Sequence, residues 1–88
     1  MDWKVYIIRC SDDTLYTGIT NDLGKRFAAH NNQTGAKYFR GRSPEQIVYL
    51  ENEHDRSSAS KREAEIKKLS RVQKKLLIES NTNEFEAG

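Results

Sequence analysis

The segment Trp3–Cys10, WKVYIIRC, constrains the fold most: β-branched and aromatic residues fill it, and apolar side chains stand at both odd and even positions. Successive strand residues face opposite sides of a sheet, so a strand that is apolar on both faces has to be covered on both. It reads as a central strand. Ser11-Asp12-Asp13 bounds it with turn formers, and LYTGIT at 15–20 follows as its antiparallel partner. An odd-numbered loop such as Ser11–Asp13 pairs Tyr6 with Gly18 and Ile8 with Tyr16. Both tyrosines then share a face, and the Tyr6 ring lies over a residue with no side chain to block it.

Beyond the hairpin, Asn21 is placed to cap a helix starting at Asp22, in which Leu23 and Phe27 form an i, i+4 apolar pair toward the sheet. Residues 31–43, with Gly35 and Gly41 and then Pro44, form a long irregular connection. A loop that long in so small a domain is uncommon unless it binds something. QIVYLE at 46–51 is the third strand. Ser57 or Asp55 caps a helix running to about Leu69, with Ala59, Ile66 and Leu69 inward, and Ser70 with Gln73 makes a capping box for a last helix through Ile78. Residues 1–80 make one domain, and 81–88, without apolar periodicity, read as a flexible C-terminal tail.

A chain of 88 residues holds one core and any site must sit on it. The single cysteine, Cys10, excludes an intramolecular disulfide, and no apolar run approaches the ~20 residues that span a bilayer. Val5–Ile8 is shorter than the roughly 7–15 residues of a signal-peptide core. These features predict a cytoplasmic protein with no membrane partner. The net charge of +2 is weak support for a nucleic-acid partner, so distribution matters more. Basic residues gather at Lys37, Arg40 and Arg42, and again at Lys61, Arg62, Lys67, Lys68, Arg71, Lys74 and Lys75.

Five residues are candidates for chemistry. Tyr6 and Tyr16 share a hairpin face. Arg26 and His30 are i, i+4 neighbours at the border of the helix's apolar stripe, and a guanidinium there calls for an anion, which a phosphodiester matches bidentately. Glu63 lies among basic residues on the following helix. One carboxylate is a poor metal cage, but magnesium keeps most of its waters and binds through one or two carboxylates plus substrate phosphate oxygens. Ordinary readings stand beside each: a strand tyrosine is usually a core residue, an Arg/His pair a surface pair, and Glu63 an ion-pair partner for Lys67.

Taken in order, these residues resemble the GIY-YIG nucleases, and the stretch Gly35–Pro44 resembles the small stand-alone bacterial members in particular. Val5-Tyr6-Ile7 stands at the family's first triplet, Tyr16-Thr17-Gly18 at its second, Arg26 with His30 on the arginine-bearing helix, and Glu63 at the metal-binding glutamate. Val5 replaces the glycine of the first triplet and Thr17 the isoleucine of the second. A late asparagine that many members use has no assigned counterpart, since Asn81 and Asn83 lie past the last helix.

The resemblance implies an α+β fold, a three-stranded antiparallel sheet flanked by helices. It also implies hydrolysis of phosphodiester bonds in DNA, in repair or processing, with a single magnesium or manganese ion that binds together with substrate. Tyr6 would act as general base, Arg26 would stabilise charge on the phosphate, Tyr16 and His30 would position groups, and Glu63 would hold the metal. Lys37, Tyr38, Arg40 and Arg42 are the candidates for nucleic-acid contact outside that centre, through phosphate pairing and base stacking. The alternative is a non-catalytic nucleic-acid-binding module on the same fold.

Overall fold

The computed structural model describes residues 2–31 and 43–85, without the side chains of His30 and Asn31. The elements run β1 (Trp3–Cys10), β2 (Leu15–Thr20), α1 (Leu23–Asn31), β3 (Pro44–His54), α2 (Arg56–Lys67) and α3 (Arg71–Ile78). The strands form one antiparallel sheet in the order β2-β1-β3. β1 is central, as its two apolar faces require. Val5 and Ile7 pack on one side with Tyr49, Ala59 and Ile66, under α2 and α3. Tyr6, Ile8 and Cys10 pack on the other with Leu23 and Phe27 of α1.

The hairpin register pairs Tyr6 with Gly18 and Ile8 with Tyr16. Its loop closes with the Cys10 N–H donating to the Thr14 carbonyl at 2.9 Å, and Asp13 takes a left-handed φ of 65° there. Aspartate tolerates that conformation better than most residues. From α3, the Arg71 guanidinium donates to both the carbonyl and the carboxylate of Asp13, which pins the turn to the helix layer.

Two boundaries differ from the sequence expectation. Asp22, not Asn21, caps α1: its carboxylate accepts from the Lys25 N–H at 3.1 Å, while Thr20 Oγ1 accepts from the Asp22 N–H at 3.0 Å. The threonine thereby holds the entering chain one residue further before the helix begins. β3 is longer than 46–51 at both ends, because pairing to β1 carries it from Cys10↔Pro44 to Trp3↔His54 across three register irregularities. Glu53, with φ at 61°, lies in this irregular end. Of the two cap candidates for α2 Asp55 takes the position, closing a reciprocal box with Ser58, and Ser70 and Gln73 close the expected box on α3.

Aperiodic sequence past Ile78 does not leave residues 83–85 without contacts. Asn83 accepts from the Leu50 and Phe85 N–H groups and donates to the Val48 and Ile78 carbonyls, while the Glu84 N–H donates to the Leu50 carbonyl. One side chain thus ties the chain after α3 to β3. A local pattern search cannot see this, because the β3 partners, Val48 and Leu50, lie more than thirty residues away.

Among the described residues, one buried side-chain polar atom has no hydrogen-bond partner. Thr17 is 3% exposed, points with Ile7 to the α2 side, and its hydroxyl lacks a hydrogen bond among the described residues. A buried hydroxyl without a partner costs stability, and an apolar group of the same shape does not. Thr17→Val is therefore expected to gain about 1 kcal/mol in urea unfolding with an unchanged slope. A loss of stability would mean that the hydroxyl is satisfied.

Candidate active site

Tyr6 and Tyr16 project from neighbouring strands to the α1 side, their ring centroids 6.3 Å apart and their planes inclined at 45°. Gly18 makes this possible. A Cβ built on it would lie 2.5 Å from the Tyr6 hydroxyl oxygen and 2.6 Å from Cζ, so the ring occupies the space that any side chain would need. The sheet can accept Tyr6 only opposite a glycine. From α1, the Arg26 guanidinium is within electrostatic reach of the phenols of both tyrosines. Arg26 is itself exposed, one turn above the half-buried Leu23. Its charge is therefore open to an incoming anion.

Burial pushes the Tyr6 phenol up to about 12, and the Arg26 hydrogen bond only partly offsets this; Tyr16 and the Glu63 carboxylate raise it further. Tyr6 is 1% exposed, so loss of hydration dominates. Arg26 is shifted up in turn, first by its bond to Tyr6. The folded phenol keeps its proton to about pH 12, whereas an unfolded tyrosine ionises near 10. The neutral ring therefore contributes stability that is complete below pH 10 and lost as pH rises through 12, ~2–3 kcal/mol in all. Urea midpoints taken at pH 9 and pH 11.5 should fall further for the native chain than for Tyr6→Phe. Equal falls would show the shift to be absent.

Glu63 approaches from α2. It shares a helical stripe with Ala59 and Ile66, both fully buried, and its carboxylate is within electrostatic reach of the Tyr6 phenol. Among the described residues no three His, Cys, Asp or Glu side chains group into a metal site. A single carboxylate 24% exposed suits only an ion that keeps its waters and completes its shell with substrate oxygens, as magnesium does. Beside Arg26, a cavity of about 290 Å³ opens between Thr20, Asn21, Asp22, Lys25 and Ala29.

Tyr6, Tyr16, Arg26 and Glu63 are thus brought to one region by β1, β2, α1 and α2. His30 lies in the last turn of α1, its side chain outside the described residues, as are Lys37, Tyr38, Arg40 and Arg42 altogether. Residues 2–76 match the family model of the GIY-YIG catalytic domain. The chain belongs to this family. GIY-YIG relatives include a UPF0213 protein of Desulfotalea psychrophila, 48% identical over 86 residues that cover 97% of this chain and 78% of that one. A UPF0213 protein of Clostridium perfringens is 54% identical over 78 residues, 89% of this chain and 84% of the relative. The solution NMR structure of a UPF0213 protein from Bacillus halodurans superposes with a TM-score of 0.60 at 38% identity, covering 93% of this chain and 87% of that one. This is a nuclease family, and the three-stranded sheet with its helices is its fold.

A second polar cluster of this GIY-YIG chain was not legible in its sequence. Glu51 of β3 accepts from the Tyr49 hydroxyl, from Arg62 Nε at 2.9 Å and pairs with His54 Nε2 at 2.9 Å, and Tyr49 also meets Thr82 Oγ1 at 3.1 Å. Burial opposes ionisation of Glu51, but the Tyr49, His54 and Arg62 contacts outweigh it and hold its carboxyl below the usual range. A cavity of about 520 Å³ lies here, larger than the one beside Arg26. Its charged groups bond to one another, so the cluster reads as a tie between β3, α2 and the segment after α3. Of the candidate residues only Arg26 borders the smaller cavity; Tyr6, Tyr16 and Glu63 line neither of the two. No described helix is long and apolar enough to cross a membrane.

Proposed function

We propose that the chain is a metal-dependent endonuclease that hydrolyses phosphodiester bonds in DNA, on branched, damaged or single-stranded forms, in repair or processing. The observation that supports this reading is the Tyr6 phenol seated over Gly18 within electrostatic reach of Arg26, Tyr16 and Glu63. Arg26 pairs with the oxygens of the scissile phosphate and stabilises the charge that grows there. Tyr16 and His30 hold neighbouring groups. Tyr6 acts as general base, its oxygen taking the proton that the attacking water loses as the water oxygen bonds to phosphorus, with the Arg26 charge favouring the phenolate. A magnesium or manganese ion held by Glu63 would supply Lewis-acid stabilisation of the phosphate and leaving oxygen. Lys37, Arg40 and Arg42 contact flanking phosphates, and Tyr38 stacks on a base.

The test is cleavage of a panel of DNA forms by the purified chain with magnesium or manganese, repeated with Arg26→Ala. Folded protein that cuts nothing across the panel, RNA included, would sink the reading. A second reading, a nucleic-acid-binding module without turnover, draws support from the Tyr6 phenol, which is protonated at neutral pH and so is not a ready base. It predicts binding that weakens steeply with salt, with no product formed.

A further inference from the structure

The carboxylate assigned to the metal already has a cationic neighbour. Lys67 Nζ lies 3.5 Å from Glu63 Oε2, one turn further along α2. Glutamate followed by lysine four residues on is the favourable order for such a pair on a helix. Arg62 is engaged by Glu51 and Glu65 instead, and among the described residues the ion pair of Lys67 is with Glu63 alone. The two ends differ in freedom: the lysine side chain is 54% exposed and can swing into solvent, whereas the carboxylate, 24% exposed, lies in line with the buried Ala59 and Ile66. An ammonium and a divalent ion cannot share one carboxylate oxygen at contact without strong repulsion.

We propose that Lys67 is a positioning residue that latches Glu63, so that a divalent ion binds the carboxylate only by displacing the ammonium. This rests on the reading of the protein as a metal-dependent nuclease. The ordinary interpretation of Glu63, partner of Lys67, and the functional one, metal ligand, then describe one carboxylate in two states. The latch keeps Glu63 charge-compensated beside the buried Tyr6 and makes it a weak site until substrate oxygens complete the shell.

Manganese titrated into the full chain without nucleic acid, with free ion read by electron paramagnetic resonance, tests this. Lys67→Gln is expected to tighten binding by roughly two- to fivefold, the factor by which an exposed ion pair of this type competes. Lys68→Gln, which changes net charge equally, should leave the affinity where it was, and Glu63→Gln should remove the site. If Lys68→Gln tightens binding as much as Lys67→Gln, the effect is bulk charge and the latch is wrong. If Glu63→Gln removes the site but Lys67→Gln leaves the affinity unchanged, the latch alone fails. If manganese binding ignores Glu63→Gln, the assignment of the metal to Glu63 fails and the latch with it.

Discussion

Gly18→Ala is expected to unseat Tyr6, costing about 2 kcal/mol of stability and roughly 8–16 °C in Tm. The new methyl would meet the Tyr6 hydroxyl oxygen at 2.5 Å and Cζ at 2.6 Å, and Tyr16 Cε2 at 3.1 Å. These are atoms of packed rings, not the end of a flexible chain. Tyr6 is buried to 1% on the central strand, so it has no open space to turn into. The ring has to tilt away from β2, which shifts the buried phenol relative to the Arg26 guanidinium. Thermal unfolding and the tyrosine ring signals in NMR read the two effects separately. A variant that melts within about 2 °C of the native chain, with unshifted ring signals, would show that the glycine is not needed for space.

Arg26→Ala is expected to lower DNA cleavage by about 10²–10³-fold while leaving the fold intact. The exposed guanidinium contributes little to the core, so its loss is felt in chemistry rather than in stability. Two effects combine. The phosphate loses its charge partner, and Tyr6 loses the cation that partly offsets its burial, so the phenol moves still further from ionisation. Arg26→Lys should rescue only part of the loss, because a single ammonium cannot reach two phenol oxygens and a phosphate with a planar fork. Single-turnover rates at saturating DNA separate chemistry from binding. Retention of more than about a tenth of the native rate by the alanine variant would remove Arg26 from the centre of the mechanism.

The legible parts of the fold were those that short-range geometry controls. The Tyr6↔Gly18 register follows from a three-residue loop and the two-residue alternation of a strand, so both tyrosines reach one face whatever else the chain does. The Asp55 cap and the Ser70/Gln73 box join residues three apart, within reach of any helix start. The first helix start was harder, since Thr20 at the end of β2 engages the Asp22 N–H and carbonyl and so makes Asp22, not Asn21, the residue whose carboxylate accepts from the Lys25 N–H.

The amino-acid sequence by itself determined that β1 is central, which hairpin face carries the tyrosines, and that Arg26, His30 and Glu63 sit on helices after the hairpin. These depend on covalent spacing and on the side-chain periods of strands and helices. Only the tertiary structure decided how far β3 runs, because pairing with β1 outweighs the weak strand preference of Glu51–His54. It likewise decided that Asn83 ties the chain after α3 to β3, that Glu51 gathers Tyr49, His54 and Arg62, and that Tyr6 is held protonated. Those outcomes depend on which distant groups packing brings into contact and on how much water it removes.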